Sequence, residues 1–446
     1  MKYFWALILN LLYVLCYVKP LPGILVVIST IILLYLIYSD AIKHNSILGV
    51  MLELLCFTFP FAWRSIIGTS FADFGLCWFY VIGLLYVLIS FIKGGFIIAF
   101  KSNYTELILY CCLFLFIGGL IPLLNSYNFI NGLKEYMGYI FFYALIIMSL
   151  PYSGSINQKE RNMILRSFTW ASLYSSVGIT VQFILLKFFS INFLDIVLTG
   201  SYGGIRHIFS YMFLDVSSQT LMLVTGAIIC LVYNKKIFKH PYITMGFILL
   251  GTLLTSARTG IVAFAIIVGF YLIRPKSKNK IIKLFIYAGC GIIGYFIIII
   301  NRPGYSFINL ISDGSGRLNL ITSALLTFLK YPLLGIGYDL IPFINITGMI
   351  GHFYLLNVLM ATGLIYTVIF VILITFILKI SLKIDKFIWI MLPGLLGSCF
   401  IPDLLGARFL IIIVCVIILS NEAIPINRFY INEPIGNFIN KVKRKT

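Results

Sequence analysis

The stretch HFYLLNVLMATGLIYTVIFVILITFIL, residues 352–378, holds no Asp, Glu, Lys or Arg in 27 positions. As an α-helix it would be about 40 Å long, more than the roughly 30 Å of hydrocarbon in a bilayer. Backbone amides cannot stay unpaired in lipid, so an uncharged run of this length reads as a transmembrane helix. Its apolar residues are continuous rather than alternating, which excludes an outer-membrane β-barrel. The rest of the chain reads the same way. Of its 446 residues, 61% are hydrophobic and 11% charged, against about 25% charged in a soluble domain. That balance excludes a soluble enzyme, a disordered chain and a disulfide-stapled secreted domain.

Apolar runs bounded by charge or turn clusters predict about 14 spans, at 3–18, 22–38, 46–63, 73–92, 104–123, 132–150, 163–186, 208–233, 240–255, 260–273, 281–300, 352–378, 387–401 and 407–420. The expected architecture is an all-α polytopic membrane protein, with residues 1–446 forming a single integral membrane domain. Residues 3–18 lack a small-x-small cleavage site and are expected to remain as the first span. The nine cysteines all fall inside apolar runs. They read as small hydrophobes rather than as disulfides or a thiolate metal site.

The net charge is +19, which on a soluble chain would suggest nucleic acid. Here the question is which side of the membrane each cation occupies. Alternating the loops puts 23 Lys and Arg on the side of the N-terminus and ten on the other. The ten are Lys19, Arg64, Lys134, Lys187, Arg206, Arg258, Arg302, Arg317, Lys330 and Arg408. The excess places both termini in the cytoplasm. Cytoplasmic lysines then suit topology and anionic lipid headgroups, and no nucleic-acid partner is expected.

The outer side is organised differently. It has a long loop, 301–351, and a shorter one, 187–207. Within the long loop, Leu318, Ile321, Leu325, Phe328 and Leu329 recur at helical spacing opposite Asn319, Ser323, Thr327 and Lys330. This predicts an amphipathic helix lying in the outer interface, with Asp313 and Ser315 as caps. Six of the ten outer cations are Arg, against five of the 23 inner ones. Arg offers a planar fork to phosphate, so an external anion is expected, with snorkelling to the interface as the plainer reading.

Arg258, in TLLTSARTG (252–260), falls between two apolar runs with hardly any loop. At mid-bilayer an ionisable residue costs roughly 2.5–3.5 kcal/mol, so it is read either as functional or as part of a tight outer turn. Arg206 and His207 close the shorter loop, and Asp215 stands downstream as a structural or catalytic partner for Arg206. His352 opens a span directly after the long loop, a position that suits a general base acting on a hydroxyl at the membrane surface. The sequence has no phosphate-binding P-loop, HExxH, CxxC or Asp-x-Asp, so neither a metal site nor a nucleotide cofactor is expected.

Three segments, in order, resemble the bacterial O-antigen polymerase and O-antigen ligase families. They are GIRHIFS at 204–210, TLLTSARTG at 252–260, and a third running from SGR (315–317) through PLLGIG (332–337) to HFYLL (352–356) and Thr362-Gly363. The family often has His-Asn where this chain has His352-Phe353, and Ala257 precedes Arg258. The resemblance covers about residues 200–365. It implies a cofactor-free, metal-independent glycosyltransferase in the bacterial inner (cytoplasmic) membrane, its site facing the periplasm. The substrates would be glycans on undecaprenyl diphosphate, and the partners chain-length regulator and flippase proteins. Arg206, Arg258 and Arg317 would hold the diphosphate, with Arg258 and His352 acting in catalysis. Asp313, Asp339, His207 and Tyr338 would contact sugar. Joining lipid-linked repeats (a polymerase) is the preferred reading. Transfer to lipid A–core (a ligase) is its sibling, and a lipid-linked oligosaccharide flippase is the alternative of another class.

Overall fold

The computed structural model describes residues 2–18, 24–44, 46–62, 77–93, 103–192, 197–199, 206–211, 213, 215–273, 288–289, 291–292, 314–351, 353–384, 386–399 and 408–421. In chain order the helices of the first half are α1 (Lys2–Val18), α2 (Ile24–His44), α3 (Ile47–Thr58), α4 (Trp78–Ile92), α5 (Asn103–Gly118), α6 (Leu120–Leu124), α7 (Phe129–Ser149) and α8 (Gln158–Phe189). Two short strands follow, β1 (Val197–Thr199) and β2 (Arg206–Ile208). Then come α9 (Val216–Tyr233), α10 (Pro241–Leu254), α11 (Arg258–Ile273), α12 (Gly314–Lys330), α13 (Ile341–Thr347), α14 (Tyr354–Lys383), α15 (Phe387–Ser398) and α16 (Phe409–Ser420). The expected span at 281–300 lies outside the described residues except at four positions.

Among the described residues, five helical stretches are long and apolar enough to cross a membrane: Thr105–Leu124, Phe129–Tyr152, Gln158–Phe189, Val216–Lys236 and Tyr354–Lys383. The other apolar helices are shorter, at 10–17 residues. In four of the five long stretches, between 39% and 50% of the most apolar window is buried, whereas in α9 the figure is 89%. α9 is therefore the hub of one group, packed against α8, α10, α11 and α15. A second group, α4, α5, α7, α14 and α16, joins the first through α3 and α15. Small residues set the spacing, as is common where helices pack without a hydrophobic driving force. A Cβ on Gly226 of α9 would lie 2.4 Å from Ser172 Oγ of α8, and one on Gly260 of α11 would lie 2.4 Å from Thr220 Cβ of α9.

Local chemistry moves several expected boundaries. α8 starts at Gln158 rather than 163, because Asn157 and Glu160 form a reciprocal capping box with two 2.9 Å bonds. Such a box satisfies two otherwise orphaned amides and carries the helix through charged residues. α9 starts at Val216 rather than 208. Asp215 caps it, accepting from the amides of Ser217 and Ser218 at 3.0 Å each. The Arg206 side chain, expected as a partner of Asp215, lies outside the described residues. The shorter loop also carries structure that the all-α expectation lacked: β1 and β2 pair antiparallel, with Leu198 opposite His207.

α12 forms where the periodicity predicts it, but only part of the expected stripe faces inward. Leu320 and Ala324 are buried, and Ala324, with Ile321 of the expected stripe beside it, packs with Phe343, Leu356 and Met360. Small Ala324 permits close approach, so Leu325 and Leu329 of the expected stripe stay 42% and 67% exposed. Ser315 lies inside the first turn rather than at the cap, and Asp313 lies outside the described residues.

Contacts between helix ends fall into two sets. At one end, Lys2 pairs with Glu53, Ile156 donates to Leu419, Arg166 to Ile237 and Lys386 to Val232. At the other, Arg408 donates to Ala62, Asn128 to Asp339 and Tyr338 to Ser126.

Candidate functional site

The uncharged run at 352–378 is not one straight helix. At Gly363 the backbone of α14 leaves helical geometry, with φ 78° and ψ −179°. A break within a membrane helix frees amides that something else must satisfy. Residues 332–337 supply the partners by running alongside the break. Ile336 donates to Met360 at 3.0 Å, Gly337 to Ala361 at 2.9 Å and Leu364 to Pro332 at 2.9 Å. The approach is so close that a Cβ on Gly335 would fall 2.3 Å from Ala361 O.

Beside this junction lies a cavity of about 400 Å³. Its walls come from one end of several elements, and they include Tyr338 and Asp339, two of the expected sugar-contacting residues. Tyr338 follows directly from the glycine turn. Its ring stacks on Tyr136 at 5.5 Å and leans on Tyr139 at 5.4 Å. Burial, with Tyr366 and Tyr136 close by, raises its hydroxyl far above the ordinary phenol value. Asp339 is 3% exposed, and both of its oxygens are engaged: Oδ2 accepts from Asn128 N at 3.0 Å and Oδ1 from Ile341 N at 3.2 Å. It thereby ties the entry to α7 to the start of α13.

The remaining polar wall was not expected. Arg408 precedes α16. Its guanidinium lies 4.9 Å from the centre of the Tyr80 ring, and its Nη1 donates to Ala62 O at 2.7 Å. Asn131, Lys134 and Glu135 of α7 form part of the rim, the last two exposed. Tyr354 and Asn357 of α14 close the far side, and Asn357 Nδ2 donates to Gly351 O at 2.7 Å. Arg408 and Lys134 were both among the ten outer cations. The signal that could have promoted them is their position at or just after the start of an apolar helix.

The other sequence candidates stand elsewhere or outside view. His352 lies outside the described residues, although Ile350 and Tyr354, which bracket it in sequence, both line the cavity. Arg206 is in β2, Arg258 is the first residue of α11 and Arg317 the fourth of α12, and their side chains are not among those described. His207 is on the hairpin with its ring 6.2 Å from that of Phe209. Burial, and then the Lys187 charge, lowers its pKa below the ordinary imidazole value. It is not among the residues lining the cavity.

Chemically the cavity combines tyrosine rings, amides and a fixed guanidinium. A pocket of this size with a few placed polar groups suits one or two sugar units. Rings offer faces to apolar C–H surfaces, while amide and guanidinium groups serve hydroxyls and oxyanions. Asp339 contributes mainly to keeping this wall in place. Asp339→Asn retains one acceptor of two and is expected to destabilise the protein by about 1–2 kcal/mol, read by denaturant titration of the purified chain. No protein-family model and no curated protein matches the chain.

Proposed function

We propose that this chain is a membrane glycosyltransferase of the O-antigen polymerase type. It joins oligosaccharide repeats carried on undecaprenyl diphosphate at the outer face of the bacterial inner membrane, with both of its termini in the cytoplasm. The observation that carries the reading is the cavity beside the interrupted helix. It has the chemistry of a saccharide site, and it opens at the helix ends that the charge alternation assigns to the outside.

In this mechanism the acceptor sugar lies in the cavity against the tyrosine rings. Its hydroxyl oxygen bonds to the anomeric carbon of the donor as the bond from that carbon to the diphosphate oxygen breaks. The lipid diphosphate leaves with the bonding electrons, and His352 takes the hydroxyl proton. Arg206, Arg258 and Arg317 hold the diphosphate and the charge that grows on it. Diphosphate is already a good leaving group, so positioning and charge stabilisation supply most of the acceleration. α12, with Leu325, Leu326 and Leu329 exposed, lies in the outer interface beside the reacting lipid.

The test is reconstitution with lipid-linked repeat units, read as a ladder of glycan lengths. His352→Ala and Arg258→Ala are each expected to slow ladder growth by about a hundredfold. No ladder from the wild type, or an undiminished ladder from both variants, overturns the proposal. Supplying lipid A–core in place of a second repeat identifies a ligase instead.

A further inference from the structure

The turn between α10 and α11 is tighter and better sealed than a link between two helices needs to be. Five described residues other than glycine have a positive φ, and one of them, Ser256 at 50°, falls inside the motif segment TLLTSARTG. Left-handed backbone is costly for any residue with a Cβ and persists where the surroundings impose it. Connections between helices usually run over the surface. Here Thr255 and Ser256 are 0% and 1% exposed, and Ala257 is 5% exposed.

One hydroxyl ties the two ends of this turn together. Thr255 Oγ1 donates to Thr252 O at 2.7 Å and accepts from Ala257 N at 3.3 Å. The first bond satisfies a carbonyl in the last turn of α10, and the second an amide just ahead of α11. Both are groups that helix termini otherwise leave orphaned. The neighbouring carbonyls of Gly251 and Leu253 take the amides of Thr255 and Ser256 at 3.1 and 2.9 Å. The flanks are clamped as closely. A Cβ on Gly251 would stand 2.2 Å from Ser176 Oγ of α8, and one on Gly260 would meet Thr220 of α9. With both helices held, the turn has little room to shift, and the residue it delivers next is Arg258, the first of α11.

We infer that Thr255 is the positioning residue for Arg258. Its hydroxyl fixes the turn, and the turn fixes the point at which Arg258 leaves the backbone. The inference rests on the transferase reading, which gives Arg258 the departing diphosphate. A charge that is oriented before the reaction begins is worth far more than one that must be ordered during it. A misplacement of about 1 Å can slow a reaction by up to about a hundredfold. The buried, left-handed Ser256 then has a purpose: it reverses the chain within one residue, so that Arg258 stands on a helix rather than in a loop.

The test uses the full chain reconstituted with lipid-linked repeat units and is read in two ways. One reading is the initial rate of ladder growth. The other is the rate at which phenylglyoxal, a guanidine-selective reagent, modifies Arg258, followed by peptide mass with the remaining arginines as internal reference. Thr255→Val keeps the side-chain shape and removes both bonds. It is expected to slow the ladder about tenfold and to change Arg258 labelling by about threefold or more. Thr255→Ser keeps the hydroxyl and should restore both readings. On an Arg258→Ala background, Thr255→Val is expected to slow the ladder no further, because residues that act as a unit are not additive. Should Thr255→Val not fold, Ser256→Gly takes its place. Glycine accepts the positive φ without strain and loosens the turn, and a change of about threefold is expected in both readings. Wild-type behaviour of the folded variant in either reading overturns the inference. So does a further loss on the Arg258→Ala background, which would mean that the turn acts through something else. A wild type that builds no ladder defeats the transferase reading, and Arg258 labelling alone then decides whether Thr255 places it. A ladder-building chain whose Thr255→Val variant matches it in both readings defeats only this inference.

Discussion

Gly363→Ala is expected to destabilise the protein by about 3 kcal/mol or more, a large effect for one methyl group. Two costs combine. The backbone at φ 78°, ψ −179° lies in a region essentially reserved for glycine. The new Cβ would also stand 2.1 Å from Leu333 O and 2.4 Å from Leu333 C. Those are backbone atoms, so relief requires the 332–337 segment to withdraw. Withdrawal loosens the bonds to Met360, Ala361 and Leu364, each worth about 1 kcal/mol and more where water is scarce. Unfolding by SDS titration from mixed micelles would measure the loss. Gly246→Ala in α10 is the control, because its Cβ would meet nothing within 4 Å. There the expected change is neutral or a gain of up to about 1 kcal/mol, from helix propensity alone. Equal behaviour of the two variants would mean that the break is not held by close backbone contact.

The second large effect lies at the opposite end of the bundle. Lys2 Nζ and Glu53 Oε2 are 2.6 Å apart, with side chains only 10% and 4% exposed. Lys2→Met would take the paired cation from a buried carboxylate whose other contacts include Ser167 Oγ at 3.5 Å. Breaking a buried pair from one side costs about 3–5 kcal/mol, whereas removing both charges is often nearly neutral. The Lys2→Met/Glu53→Gln double variant should therefore recover most of the stability lost by Lys2→Met. A double-mutant cycle by the same titration reads this as a coupling of about 2 kcal/mol or more. Additive losses would show that the pair does not act as a unit. The packing of Tyr3 on Phe57 and Trp170 would remain to hold α1, so a folded protein is expected in each arm.

Much of the helical inventory was legible because long uncharged runs leave few alternatives in a membrane. The interruption of α14 was not. Residues 352–378 contain good helix formers throughout, and a lone glycine in such a run usually continues the helix. Only the approach of 332–337, a tertiary event, turns Gly363 into a break. Both segments belong to one motif, but the order of the motif does not say that they touch. Periodicity found α12, yet it could not choose the inward face. The expected stripe followed leucine count, while the structure follows the shape of Ala324 against Met360 and Phe343.

Function was legible as residue types more than as a place. Tyr338 and Asp339 were expected to touch sugar and do line the cavity, but Asp339 is occupied with the amides of Asn128 and Ile341. Arg408 looked like one more interfacial cation. Its significance depends on Tyr80 and Ala62, more than 300 residues away in sequence, and no local pattern links them.

The enclosure of α9 has a consequence for how the protein is made. A helix emerging alone into the bilayer would place Ser218, Gln219, Thr220 and Thr225 against acyl chains, yet all four end up fully screened by neighbouring helices. Gln219 makes no side-chain hydrogen bond among the described residues. Three of the neighbours, α10, α11 and α15, are synthesised after α9. The hub must therefore wait, partly uncovered, until the C-terminal half arrives. The centre of the bundle is among the last parts to be sealed, and the lateral closing of those helices around it is the step at which biogenesis is most exposed to failure.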